Sequence, residues 1–122
     1  MAAIRVLIAD DVAQVRQDLR TLLTLSGGIE VIGEAGNGLE AVHLVGMLHP
    51  EAVLMDLEMP VMDGYEATRQ IKARYPDSRV VALTLHGCPA SREKALQAGV
   101  DFFIEKGASL DTLVQAILSA KE

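Results

Sequence analysis

The stretch Val53-Leu54-Met55-Asp56-Leu57-Glu58-Met59-Pro60 decides how the rest of the chain is read. A short aliphatic run rises to one aspartate, and a proline interrupts the backbone soon after it. Runs of this length, rich in β-branched and aliphatic residues, read as buried parallel strands. An Asp at the carboxyl end of such a strand stands where open α/β sheets place their ligands. Taken alone, Asp56 serves equally well as a turn residue. It gains meaning only if other strand ends deliver matching groups.

Outward from Ala52 to Asp56, the same grammar repeats on both sides. Toward the N-terminus, Ile4 to Ala9 reads as a first strand closed by Asp10-Asp11, and Ile29 to Ala35 as a second. Between them Val12, Val15, Leu19, Leu22 and Leu23 form a helical stripe, with Arg16, Gln17 and Arg20 expected to face water. Asp11 is expected to cap that helix, and Ser26-Gly27-Gly28 to end it. Asn37 with Glu40 opens a second helix running to about Leu48, where His49-Pro50 stops it. Toward the C-terminus, Asp63-Gly64 opens a third helix with Ala67, Thr68, Ile71 and Tyr75 inward. Arg79 to Leu85 is a fourth strand. Pro89 opens a fourth helix that Gly99 closes. Asp101 to Ile104 is a fifth strand, and Ser109 caps a last helix with Leu110, Leu113, Val114, Ile117 and Leu118 inward. Five repeats of strand then helix predict a five-stranded parallel sheet with helices on both faces. No linker or second domain is visible, so residues 1–122 are expected to form one domain.

Bulk properties narrow the function. Half the residues are hydrophobic and only 3% are aromatic, so the core is built from aliphatic side chains. The net charge of −6 argues against a general attraction to nucleic acid or anionic membrane. One cysteine, Cys88, excludes an internal disulfide and any multi-cysteine metal site. The apolar run at the N-terminus is short and followed at once by acids, unlike a signal peptide or membrane span. A cytoplasmic protein is the simplest expectation.

In a parallel sheet all carboxyl ends share one edge. Asp10 and Asp11, Asp56, Thr84 and Lys106 are thereby brought to one crevice. Three carboxylates repel, so a cation must offset them or some must hold protons. Hard oxygen ligands with room for water suit Mg²⁺. With Lys106 and a hydroxyl nearby, the set suits a phosphoryl group in transfer. There is no Gly-rich phosphate cradle, so a nucleotide is not the obvious donor. Asp56 is then a candidate nucleophile that forms an aspartyl phosphate.

The set Asp10-Asp11, Asp56 with Met59-Pro60-Val61-Met62-Asp63-Gly64, Thr84 and Lys106 resembles the receiver domain of bacterial response regulators. The resemblance covers essentially the whole chain. It implies the flavodoxin-like strand order 2-1-3-4-5. It also implies Asp56 as acceptor of phosphate from a phosphohistidine on a sensor histidine kinase or phosphotransfer protein. Mg²⁺ would be held by Asp10, Asp11, Asp56 and the backbone carbonyl of Glu58. Lys106 and Thr84 would bind the phosphoryl oxygens, with Thr84 and Phe103 as the switch pair that remodels the helix 4–strand 5–helix 5 surface. Glu58 and His86 occupy the two variable flanking positions and are expected to tune aspartyl-phosphate lifetime. Further expectations are a homodimer on phosphorylation, contact with DNA only through a domain absent from this chain, and no contact with membrane. The wording from Met59 to Thr84 is similar to receivers that precede a helix-turn-helix.

Two features depart from the common pattern: Leu85 stands where many receivers have a small residue, and Phe103 lacks a switch hydroxyl. Blander roles compete for single residues. Asp10-Asp11 reads alone as a helix cap, Lys106 as a solvated charge, His43 and His49 as solvent-facing or capping, and Cys88 as inert. Two other functions compete for the whole. Asp56-Leu57-Glu58 faintly resembles the nucleophile motif of Mg²⁺-dependent phosphatases, which normally follows a first strand. A flavin carrier of similar topology is opposed by the acids after strand one, where an anionic phosphate needs donors.

Overall fold

The computed structural model describes residues 2–85 and 87–119. Strands and helices alternate as β1 (Ile4–Ala9), α1 (Ala13–Ser26), β2 (Ile29–Ala35), α2 (Gly38–Leu48), β3 (Ala52–Asp56), α3 (Gly64–Arg74), β4 (Arg79–Thr84), α4 (Pro89–Ala98), β5 (Phe102–Glu105) and α5 (Leu110–Leu118). The sheet order is β2-β1-β3-β4-β5, and every pair is parallel. This is the doubly wound order expected above.

The two faces of the sheet bury different halves of the aliphatic set. Leu7, Ala9, Val53, Met55, Val80 and Ala82 pack under α2, α3 and α4, against Ala41, Val45, Ala67, Ile71 and Ala95. Ile4, Val6, Ile8, Leu54, Val81 and Leu83 pack under α1 and α5, against Leu23, Leu113 and Ile117. Alternation along each strand sends neighbours to opposite faces, which is why β3 is buried along its whole length and reads as an unbroken apolar run. Strand polarity then puts Asp56 at one rim of the molecule.

Helix ends follow local side-chain chemistry. Asn37 accepts from the Glu40 amide at 2.8 Å, Asp63 from Glu66 at 2.9 Å and Ser109 from Thr112 at 3.2 Å. Glu40 reaches back to the Gly36 amide at 3.3 Å rather than to Asn37. Gly99, at φ +105°, ends α4 in a left-handed turn.

Some expectations shift. Asp11 does not cap α1: Val12 holds that position without a side-chain bond, and Asp10 Oδ1 takes the Val12 amide instead. Within the α1 stripe only Leu23 is buried, and Val12 and Leu22 are exposed. Leu22 lines an open groove between α1 and α5. Leu110, expected inward on α5, is exposed and borders the same groove. β4 stops at Thr84, one residue before Leu85. β5 runs one residue later than expected, because Asp101 is engaged by Lys72, Arg79 and the Val80 amide before the strand begins.

Candidate functional site

Three strand ends build an acidic crevice. β1 continues its pairing through the Asp10 amide, which donates to Ala35 O at 3.0 Å. This holds Asp10 only 1% exposed, while Asp11, one residue on, is exposed. Asp56 closes β3 opposite Leu83 of β4 and is 4% exposed. Its Oδ1 accepts from the Glu58 amide at 3.2 Å. One carboxylate oxygen each from Asp10, Asp11 and Asp56 lie within 4.8 Å of one another.

The third end brings the counter-charge. Lys106 follows β5, where its amide donates to Thr84 O at 2.8 Å. Its ammonium donates to Asp10 Oδ2 at 3.1 Å and stands 3.5 Å from Asp56 Oδ1. Two of the three carboxylates therefore share one ammonium, and Asp11 adds a third negative charge beside them. Burial is the main force on Asp56 and lifts its carboxyl to about 6. The Glu58 amide and Lys106 pull it back down, and the charges of Asp10 and Asp11 add to the rise. Burial works against the Lys106 ammonium, yet the Asp10 and Asp56 carboxylates outweigh it and raise its pKa, so it stays charged.

Such a donor set fits a small hard cation. It offers only oxygen and carries excess negative charge, and the exposed Asp11 leaves an opening for water, as Mg²⁺ requires.

The remaining sequence candidates fall around this centre. Thr84 is buried at the end of β4, next to the register partner of Asp56. Phe103 lies beside Ala82 in the sheet, half-buried, with the Arg92 guanidinium 5.7 Å from its ring centroid. Glu58 is exposed on the loop after β3. Leu85 leaves the strand and is 71% exposed. His86 lies outside the described residues. His49 ends α2 in a left-handed conformation, a capping role. Alongside Lys106, an apolar groove of about 320 Å³ runs between α1 and α5.

Three features were not foreseen. Gly64 serves more than the turn: a Cβ there would collide with the Asp56 carbonyl, so its bareness lets α3 start against the site. Val61 sits at φ +69°, and the Met62 amide donates to Pro60 O at 2.7 Å across it, a strained γ-turn on the site's rim. Arg16, expected to face water, instead turns inward to Glu34 and the Asp10 carbonyl. The available signal was the spacing of Arg16 and Arg20, which places both on one helix face.

Known proteins agree with this geometry. Residues 6–118 match the family described as "Response regulator receiver domain". The chain is 40% identical over 114 residues to the response regulator GacA of Pseudomonas viridiflava, covering 93% of this chain and 53% of that protein. It thus spans about half the length of the curated relatives it matches. The signal receiver domain of the response regulator NarL from Mycobacterium tuberculosis superposes with a TM-score of 0.94 at 33% identity, over 99% of this chain and 98% of that one. A CheX–CheY complex with BeF₃ and Mg²⁺ from Borrelia burgdorferi gives 0.89 at 27% identity, over 99% of this chain and 91% of the matched one. Among the described residues no helix is long and apolar enough to cross a membrane. A family match spanning almost every element, on a sheet whose strand ends converge as they do here, makes this chain a member of the response regulator receiver domain family, the signalling module of two-component systems.

Proposed function

We propose that Asp56 accepts a phosphoryl group from a phosphohistidine on a sensor histidine kinase or phosphotransfer protein, and that the aspartyl phosphate switches the α4–β5–α5 surface. The observation that carries this reading is Asp56 itself, buried at a strand end between two further carboxylates and one ammonium. The phosphorylated protein would then dimerise. Its output would be transcriptional, exerted through a DNA-binding domain outside this stretch, as befits similarity to the transcriptional regulatory protein LnrK of Bacillus subtilis and to a DNA-binding response regulator of the LuxR family from Staphylococcus aureus.

The proposed roles of the residues are these. An Asp56 carboxylate oxygen attacks phosphorus, and the bond from phosphorus to the donor imidazole nitrogen breaks, its electron pair returning to the ring. Asp56 must be ionised for this, so the crevice has to offset the burial that raises its pKa. Asp10, Asp11, Asp56 and the Glu58 carbonyl would hold Mg²⁺, which when bound neutralises surplus carboxylate charge and stabilises charge on the phosphoryl oxygens. Lys106 moves from its carboxylate partners to a phosphoryl oxygen. The Thr84 hydroxyl takes another, and Phe103 follows into the space Thr84 vacates. By the family resemblance, Glu58 and His86 would tune the lifetime of the adduct by steering water.

The test is mass measurement of the protein after incubation with acetyl phosphate and Mg²⁺. A phosphate adduct forms on the wild type and not on Asp56→Asn. An adduct that persists in the variant removes Asp56 from its role, and equal modification without Mg²⁺ removes the metal. Steady turnover of small phosphate esters would mark a phosphatase instead.

A further inference from the structure

We propose that Arg16 is the positioning residue of the acid pair. By tying the Asp10 carbonyl to Glu34, it fixes the turn that presents Asp10 and Asp11 to a divalent cation. This rests on the reading above that the cluster takes Mg²⁺.

The turn needs such a device. Asp10 and Asp11 are adjacent like charges facing a third at Asp56, so repulsion works to open the backbone between β1 and α1. The Asp10 amide, Oδ1 and Oδ2 are held by Ala35 O, the Val12 amide and Lys106 at 3.0, 2.9 and 3.1 Å. The Asp10 carbonyl lies past the end of the β ladder and before the first turn of α1. Its partner is Arg16 Nη1 at 2.6 Å, the shortest of the four bonds. A peptide unit is planar, so pinning that carbonyl also fixes the amide of Asp11 and the direction in which Asp11 leaves.

Arg16 is itself anchored. Its Nε donates to Glu34 Oε1 at 3.0 Å, with the two side chains 20% and 26% exposed. The other Glu34 oxygen takes Arg20 Nε at 2.9 Å. Those two arginines hold the Glu34 carboxyl below its usual range despite the desolvation that opposes them. A guanidinium presents donors in a rigid fork, so one side chain reaches β2 and the β1 end at once, and a lysine ammonium cannot reproduce this. Groups that orient metal ligands from behind typically change metal affinity by ~10-fold or more when lost.

Arg20 supplies the control, because it shares Glu34 but does not reach Asp10. Mg²⁺ is titrated into the unphosphorylated full chain, followed by the backbone amide shifts of Asp10 to Val12. Arg16→Ala raises the Mg²⁺ Kd ~10-fold, and acetyl phosphate modification returns to the wild-type rate once Mg²⁺ is saturating. Arg16→Lys does not restore the affinity. Arg20→Ala removes the more exposed partner of the same Glu34 and keeps the wild-type Kd. Glu34→Gln, which weakens the anchor without removing Arg16, raises the Kd by a smaller factor and provides the comparison if Arg16→Ala is too unstable to titrate. A wild-type Kd in both Arg16→Ala and Glu34→Gln, or an equal rise in Arg20→Ala, overturns the proposal. A wild type that shows no Mg²⁺ saturation overturns the reading beneath it as well.

Discussion

Asp56 and Asp101 are aspartates with little exposure at opposite rims of one sheet, in surroundings of opposite character. Asp101 stands at the rim where the strands begin. Its carboxylate takes Lys72 at 3.1 Å, Arg79 at 3.3 Å and the Val80 amide at 2.8 Å. One negative charge there meets two positive ones. Asp56 stands where the strands end, shares one ammonium with Asp10, and has the Asp11 carboxylate close by as well. The first arrangement is what stability alone favours. The second is less stable by itself, and under the proposed function a cation or a phosphoryl group completes it. Even the unusual backbones follow the division. His49, at φ +48° near the lower rim, is a polar residue ending a helix. Val61, at φ +69° near the upper rim, is β-branched and 79% exposed.

The sharpest way to break the comparison is to remove each aspartate in turn. Asp101→Ala takes the carboxylate from Arg79, the Val80 amide and Lys72, of which Lys72 keeps the Pro76 and Ser78 carbonyls. It is expected to cost about 3 kcal/mol of stability in urea unfolding. Modification by acetyl phosphate should stay at the wild-type rate. A folded Asp101→Ala protein that is modified much more slowly would mean the lower rim is not purely structural.

Asp56→Asn should act in the opposite direction. The folded carboxyl titrates at about 6, above its ordinary 3.8, so the folded chain binds more protons between those values. The contribution of Asp56 is therefore fully favourable below about 4, falls as pH rises, and is at its worst above about 6. Without Mg²⁺, the Asn variant is expected to be about 2 kcal/mol more stable than wild type at pH 7. Its stability should also lack the decline between pH 4 and 6. Saturating the wild type at ten times the Mg²⁺ Kd should return about 1.4 kcal/mol. A variant less stable than wild type at neutral pH would show that the buried charge is already compensated.

Val61→Gly tests the strain. Glycine relieves the left-handed conformation but adds freedom to the unfolded chain, so the net gain is expected to be only about 0.5 kcal/mol. Urea unfolding reads it. A loss of stability would mean that the exposed valine has a packing role that outweighs its backbone.

What could be read from the chain alone follows the same line. Strands and their order of appearance were legible because both faces of the central sheet are buried, leaving aliphatic runs too plain to mistake. Asp10, Asp11, Asp56, Thr84 and Lys106 were legible because strand polarity carries strand ends to one rim without further information. Arg16 was not, since a helical stripe drawn from hydrophobicity sends every polar residue outward and cannot see Glu34 on a neighbouring strand. The limits of β5 were missed for a related reason. They depend on Asp101 meeting Lys72, 29 positions away along the chain. Asp10, not Asp11, holds the first turn of α1 because Lys106 and the ladder to β2 fix it in place.

The smallest expected effect lies where the upper rim meets the proposed α4–β5–α5 output surface. Phe103 has no hydroxyl to hold an outward state, yet the Arg92 guanidinium stands 5.7 Å from its ring centroid. A cation over an aromatic face at a partly exposed site is a weak attraction, of order half a kcal/mol. It exists only while the ring stays beside α4. Arg92→Ala should therefore move the ring's equilibrium toward the inward state by a factor of about two. The readout is the Phe103 ring resonances before and after acetyl phosphate: the variant should begin closer to the phosphorylated spectrum and end at the same one. Were Arg92→Ala to leave the starting spectrum unchanged, the contact would be decoration on α4, and the poise of the upper rim would end at Lys106.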